Sequence, residues 1–453
     1  MERFELTGSQ MYMYLISRAG LGQAALLCGS VLIPGQRDVA DLQRAANEIF
    51  RINDGIRPRF VEEGGKVYQE TLPYEEREFE VLHFNSREEL DEYGEAYATV
   101  PFELVRVEDT TQKTKYGSSA SPQLIFNILR GRLRTARTMK KYGLRKEHAA
   151  CDVKLVILPD AYGAIAKIHH VISDAWTCLL LGNQFVSILN GETPKAYDFS
   201  EHALSEAAYY ETKRYQRDKR FYEEQLAVCP EPTPLWPKPY TTLEARRTTV
   251  TLTEEQTRRI YDYHEKTGFT PFVQFLAAMS VFARRKTGKD AFYLGVVTIG
   301  REGVRERNST GMYVNAVPLL MQPDESTSFA DYLAIVRDKE FSGFRHQKPG
   351  AHDYGFGNML YDTWLSYQTA VLEENEQAEC RQYYAKSTAA LKILSIEDRN
   401  GKGALSLHFD ANLSVTDAEI DEMFRVTLGV LFDGLDDDTR PLSALGRPEE
   451  GRG

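Results

Sequence analysis

Midway along the chain, residues 229–240 read CPEPTPLWPKPY, with prolines at 230, 232, 234, 237 and 239. Proline fixes φ near about −65° and carries no amide proton, so this density of prolines excludes both a helix and a central strand. The segment must run extended, and it divides the 453 residues into two stretches of similar length. Each is long enough to bury a core of its own. The chain therefore reads as one lobe over 1–228, a linker over 229–240 and a second lobe over 241–453.

Both stretches alternate helical and strand-like patterns, which predicts an α/β fold. Residues 38–72 read as a helix followed by a hairpin closed at Gly64-Gly65. The run VKLVILPDAYGAIAKIHHVI reads as two strands with a turn around Pro159, Asp160 and Ala161. After it, AWTCLLLGNQFVSILNG has helical apolar spacing, with Asp174 at the expected N-cap and Gly191 at the end. Charged helices lead to the linker. Beyond it come a helix over TPFVQFLAAMSVFARRKTG, the strand AFYLGVVTIG, and later ALSLHFDANLS and a last helix, DAEIDEMFRVTLGVLFDGL.

Composition narrows the function classes. No apolar run approaches the roughly 20 residues of a membrane helix. The N-terminus, MERFELTGSQMYMYLIS, lacks the basic-then-apolar pattern of an export signal. Five scattered cysteines make neither a disulfide framework nor a CxxC metal site, which suits a reducing cytoplasm. A formal net charge of −11 disfavours nucleic acid as a partner of the whole surface. That balance conceals an island. From Lys113 to Lys146 there are ten basic residues and no acidic ones, leaving 45 basic against 66 acidic residues elsewhere. Within it Ile125, Leu129, Leu133, Ala136, Met139 and Tyr142 recur at helical spacing, which predicts a basic amphipathic helix with one apolar stripe. Such a helix packs on its own lobe or docks an acidic partner, with an anionic membrane or RNA as lesser possibilities.

The residues with most chemistry are His169, His170 and Asp174 in AKIHHVISDAWT. Consecutive residues of a strand face opposite ways, so both histidines cannot line one pocket if the strand continues. A metal pair would favour i, i+2 on a strand or i, i+4 on a helix with a third ligand at hand, and no second Cys/His cluster supplies one. Two readings stay open: a buried structural pair, or a neutral imidazole at a strand end that takes a proton from an attacking amine or hydroxyl.

HHVISDAW resembles the HHxxxDG signature of nonribosomal peptide synthetase condensation domains and their chloramphenicol-acetyltransferase-like relatives. Further partial matches follow in the family's order: LTGSQMYMYL, FRINDGIRPRF with Arg57 at the central arginine, KRFYEEQL, TPFVQFLAAMSVFARRKTGKDAFYLGVVTIGRE ending at Gly300 and Arg301, and GMYVNAVPLLM with Gly311, Tyr313 and Asn315 on motif positions. The resemblance implies two acetyltransferase-like lobes forming a V-shaped pseudo-dimer with an active-site tunnel between them. It implies His170 as the catalytic or positioning residue. His169, Asp174 and Arg57 become its structural supports, with Asp174 salt-bridged to Arg57. Ala175, Trp176, Gly311, Tyr313 and Asn315 fall along the tunnel. It also implies no bound cofactor and no metal, because the substrates arrive as thioesters on the phosphopantetheine of a carrier protein.

Two departures stand out. Ala175 replaces the signature glycine, and a late motif survives only as HQKPGAHD around His346. The basic segment 109–150 is longer than this part of the family fold requires, which makes Arg132, Arg134 and Arg137 candidates for carrier docking. Met1 lies close to the first motif, favouring a free-standing or N-terminal placement, and two lobes in one chain favour a monomer. The expected function is a condensation enzyme joining a carrier-bound acyl or aminoacyl thioester to an amine, free or carrier-bound. The alternatives are an ester-forming acyltransferase with a hydroxyl acceptor and a non-catalytic recruitment domain. Both histidines and the aspartate argue against the last; Ala175 and the altered late motif argue for it.

Overall fold

The computed structural model of the protein describes residues 3–17, 22–106, 122–145, 149–237, 242, 244–349, 360–369, 378–384, 386, 392–398 and 403–447. In chain order the strands are β1 (Arg3–Glu5), β2 (Leu26–Pro34), β3 (Pro58–Glu63), β4 (Lys66–Thr71), β5 (Val81–His83), β6 (Val105–Arg106), β7 (Cys151–Ile157), β8 (Ala161–His169), β9 (Ala245–Thr251), β10 (Phe292–Thr298), β11 (Asn315–Met321), β12 (Thr363–Gln368), β13 (Glu379–Tyr383), β14 (Lys392–Glu397) and β15 (Ser406–Asn412). The helices are α1 (Gly8–Ile16), α2 (Val39–Ile52), α3 (Arg87–Tyr97), α4 (Pro122–Tyr142), α5 (Ala175–Leu189), α6 (Phe199–Tyr209), α7 (Lys213–Val228), α8 (Glu254–Thr267), α9 (Pro271–Thr287), α10 (Val304–Arg307), α11 (Phe329–Arg345) and α12 (Asp417–Asp436). The α/β class is as expected.

The first half is built on the sheet β13-β2-β8-β7-β5, beside the smaller sheet β1-β4-β3-β6. The second is built on β11-β10-β12-β14-β15-β9. Local signals account for the parts that carry the site. Gly64 and Gly65 both have positive φ, 59° and 80°, which is the turn that lets β3 and β4 pair as a tight hairpin. β7 and β8 pair antiparallel from Cys151↔Ile168 to Ile157↔Tyr162, closed by the short turn predicted at 159–161. In the second half α9 is buried from Pro271 to Ala283, capped by Thr270 and ended by left-handed Gly288. Burying each large apolar side chain there contributes roughly 1.5–3 kcal/mol.

The two halves share one core. Tyr12 of α1, Phe50 of α2 and Ile168 of β8 pack in a cluster with Tyr293 of β10, Met312, Leu320 of β11 and Trp364 of β12. The proline-rich segment runs without helix through its described residues and packs against the second sheet. Asp362 accepts the amides of Leu235 and Trp236 at 2.9 and 3.1 Å, and the Trp236 indole donates to Thr363 Oγ1 at 3.1 Å. One element crosses the boundary. β13, from beyond residue 241, pairs antiparallel with β2. Arg87 of α3 holds it through Glu379 at 2.9 Å.

The helix over the basic island forms, but its buried side differs from the predicted stripe. Leu133 is 63% exposed, and Ala136 is exposed as well. Met139 and Tyr142 of that stripe do face inward, with Thr135, and pack on the cluster around Leu90 and Tyr97; the side chains of Ile125 and Leu129 lie outside the described ones. At about 3.6 residues per turn Leu133 and Tyr142 lie roughly half a turn apart, so both cannot face the lobe, and it is the end with Met139 and Tyr142 that is buried. Lys113, Lys115 and Lys146 lie outside the described residues.

Candidate active site

The strand carrying the histidines stops between them. His169 is the last residue of β8, and its amide donates to Ala150 O at 2.7 Å. The His170 amide donates to Ala25 O at 2.7 Å, and Ile172 N–H reaches back to His169 O at 3.0 Å, turning the chain towards α5. Asp174 caps that helix by accepting the Thr177 amide at 2.7 Å. The strand ends at His169, so this break rather than strand alternation gives the two rings different surroundings.

His169 is buried, with its ring fully used. Nδ1 accepts the Val171 amide at 3.0 Å, which places the ring proton on Nε2, 3.2 Å from Ser17 Oγ. Burial, reinforced by His170, pushes its pKa down to about 3. The linkage has a definite sign. An unfolded His169 takes up a proton near pH 6.5, whereas the folded one does so only near 3. Its contribution to stability is therefore whole above 6.5 and is lost progressively as the pH falls towards 3. In denaturant titrations the stability advantage of the wild type over His169→Asn should shrink between pH 6.5 and 4. An advantage that stays constant over that range would show that His169 is not held neutral.

His170 is half-buried. Its Nδ1 is buried and lacks a hydrogen-bond partner among the described residues. Burial lowers its pKa, opposed by the Asp174 carboxylate and by the carbonyls of His170 and Ser173. The imidazole is thus neutral at neutral pH and can accept a proton. Among the described residues no three His, Cys, Asp or Glu side chains converge to hold a metal ion.

Asp174 is the centre of a buried network that joins the halves. Arg301 Nη2 donates to Oδ1 and Oδ2 at 2.9 and 3.0 Å, and both side chains are fully buried. The amides of Tyr313 and Val314 donate to Oδ2 at 3.1 and 3.3 Å. Thr177 Oγ1 accepts from Arg301 at 2.9 Å and donates to Gly311 O at 2.7 Å. Arg301 Nη1 satisfies Glu306 O and Ser309 O at 2.6 and 2.8 Å, while its guanidinium lies 3.9 Å over the Tyr313 ring. Both carboxylate oxygens and both terminal guanidinium nitrogens are satisfied, the condition under which a buried ion pair holds, while Arg301 Nε is buried without a partner among the described residues. The close approach depends on glycine at two positions. A Cβ on Gly311 would lie 2.0 Å from Phe199, and one on Gly300, whose φ is 64°, would lie 2.0 Å from Tyr313 O.

The expected Arg57–Asp174 salt bridge is not formed. Arg57 donates to Leu72 O and, at 3.3 Å, to Asn53 O, and burial lowers its pKa. Arg301 takes the aspartate because it emerges with the 311–314 backbone that also serves that carboxylate. Arg57 belongs instead to the turn after α2, which reaches α5 through Asn53 Nδ2 and Gln184 Oε1 at 2.7 Å. In the sequence Arg301 stands only as the end of a motif, and Thr177 carries no motif signal. Its place, three residues past the cap, was the available signal.

Other expected positions are resolved as follows. Ala175 is the exposed first residue of α5, and the only positive-φ non-glycine among the described residues is Lys386. The helical backbone therefore accepts alanine without strain. Trp176 anchors α5 to the second half by donating from its indole to Arg307 O at 2.9 Å. Asn315 opens β11 and donates to the carbonyls of Gln347 and Lys348 at 2.9 and 3.1 Å. That ties it to the start of HQKPGAHD, where His346 Nδ1 lies 2.7 Å from the buried Asp218 carboxylate. Residues 350–353 of that motif lie outside the described residues. On α4, Arg132 and Arg137 are exposed, whereas Arg134 is engaged with Glu244 at 2.6 Å.

Comparison with known proteins gives this architecture a context. The family model described as "Condensation domain" matches residues 140–413, more than half of the chain. Among curated proteins, tyrocidine synthase 2 of Brevibacillus parabrevis is 26% identical over 279 residues, 57% of this chain and 8% of that protein. Surfactin synthase subunit 1 of Bacillus subtilis (strain 168) is 25% identical over 269 residues, 54% of this chain and 7% of that protein. The chain thus spans less than a tenth of the length of either. Two solved structures superpose over nearly everything. The condensation domain of a monacolin K polyketide synthase gives a TM-score of 0.79 at 15% identity, covering 98% of this chain and 99% of that one. The first condensation domain of the calcium-dependent antibiotic synthetase, with a substrate analogue, gives 0.75 at 16%, covering 98% of each.

Proposed function

Because the chain belongs to the condensation-domain family, we propose that it joins a carrier-bound acyl or aminoacyl thioester to an amine, as in nonribosomal peptide biosynthesis. The observation that carries this reading is His170, a neutral, half-buried imidazole directly after a histidine whose ring is wholly committed to structure. In the proposed step the amine nitrogen attacks the thioester carbonyl and a C–N bond forms. His170 takes the proton that the nitrogen sheds. The tetrahedral intermediate collapses with cleavage of the C–S bond, and the phosphopantetheine sulfur leaves as a thiol once reprotonated. The thioester is already activated, so alignment accounts for much of the rate.

In this reading Asp174 and Arg301 act as positioning residues that hold α5 and the 311–315 strand start on either side of His170, while His169 fixes the strand end. Gly311, Tyr313, Asn315, Trp176 and Ala175 border the route taken by the substrates, and no cofactor of the protein's own takes part. Among the described residues no helix is long and apolar enough to cross a membrane. We place the reaction in the cytoplasm, carried out by a monomer with a carrier protein as its partner.

The test is wild-type protein incubated with an acyl-loaded carrier and a mixed panel of amines and alcohols, with products identified by mass spectrometry. Amides alone are expected. Ester as the main product would replace the amine acceptor with a hydroxyl, and absence of any product while the carrier still binds would favour a recruitment domain.

A further inference from the structure

Helix α4 is the most unusual surface of the molecule. It contains no acidic residue in a chain of net charge −11. It lies almost wholly ahead of the residues that the family model matches. Its inner side is thin. Met139 and Tyr142 pack on the α3 cluster, and Thr135 Oγ1 accepts from Gln23 at 2.8 Å. Its outer side carries Arg130, Leu133, Arg137 and Lys140, spaced by three, four and three residues, so that they form one stripe; all four are exposed. Leu133 stands 63% exposed in the middle of it.

This stripe selects among partners. A membrane surface would need several large apolar residues on the face, and among its described side chains there is one. Single-stranded nucleic acid would be bound through aromatic platforms, which the described side chains of the stripe do not supply, and the net charge of the whole chain opposes it. A second copy of the chain meeting this stripe across a two-fold axis would bring cation against cation. An acidic protein helix with a small apolar face satisfies both the leucine and the cations. The inner side of the helix is linked to the site. Gln23, which holds Thr135, lies two residues before Ala25, whose carbonyl holds the His170 amide.

We propose that the outward stripe of α4, centred on Leu133 between Arg130 and Arg137, is the surface on which an acidic carrier protein docks. This rests on the carrier-dependent function proposed above. Arg134 is not part of the surface, because Glu244 already neutralises it.

The experiment compares two donors of the same acyl group, the loaded carrier and the small N-acetylcysteamine thioester, in wild type, in Arg130→Glu with Arg137→Glu, and in Leu133→Ala. Docking on the stripe predicts that KM for the carrier rises by about tenfold or more in the charge-reversed protein, since a cation–carboxylate pair becomes repulsive. The leucine variant should show a smaller rise. kcat/KM for the small thioester should change by less than about twofold, and raising the ionic strength should weaken carrier use in wild type more than in the charge-reversed protein. Unchanged carrier KM would place docking elsewhere. Equal losses with both donors would show damage to the site rather than to a surface. Anionic vesicles or single-stranded RNA bound through these residues, with carrier use intact, would also overturn the proposal. A wild type that turns over neither donor would refute the function instead and is thereby distinguishable.

Discussion

Arg301→Ala is expected to destabilise the protein by about 3–5 kcal/mol, the usual cost of leaving one partner of a buried ion pair uncompensated. The side chain donates to both Asp174 oxygens, to Thr177 Oγ1 and to the Ser309 carbonyl, all buried, and to the part-buried carbonyl of Glu306. Removing it strands the carboxylate and two main-chain acceptors at once. Arg301→Lys should recover little, because an ammonium cannot reproduce the planar fork that serves both sides. The decisive form is a double-mutant cycle. Asp174→Asn alone should also destabilise, but Asp174→Asn combined with Arg301→Ala should cost clearly less than the two losses added, since the stranded charge is gone. Additive losses in denaturant unfolding would mean that the pair does not couple the halves.

His170→Ala should behave in the opposite way. Nδ1 has no partner among the described residues, so stability should hardly change. Acyl transfer should fall by about 10²–10⁴-fold, the range for removing a positioned general base. A loss below about tenfold in single-turnover transfer would relieve His170 of that role. The pH profile gives an independent readout. Because burial lowers the His170 pKa below its ordinary value of 6.5, the loss of activity on acidification should be centred below pH 6.5. A decline centred above 6.5 would contradict a buried neutral base.

Local signals were legible in the sequence and long-range ones were not. Gly64-Gly65, the Asp174 cap and the strand–turn–strand before the histidines each depend on a few consecutive residues, and each appears where the pattern put it. The choice of Arg301 over Arg57 as partner of Asp174 is made by tertiary packing across 127 residues, where both arginines carry the same charge and differ only in what surrounds them. β13 left no sequence signal because ECRQY is short and polar, and its place beside β2 comes from ion pairs to Arg87 and Asp91 that lie far away in the chain. The exposure of Leu133 was invisible for a related reason. Helical spacing tells which residues share a face, but only the packing partner decides which face is buried.

The proposed reaction moves an acyl group from a carrier to an amine through His170. Its most direct test is intact-mass analysis of an acyl-loaded carrier incubated with an amine and either wild-type or His170→Ala protein. With wild type the carrier should lose its acyl mass as an equal amount of amide accumulates; with the variant it should stay loaded. A carrier that binds wild type yet keeps its acyl group, or loses it equally with both proteins, would contradict the account.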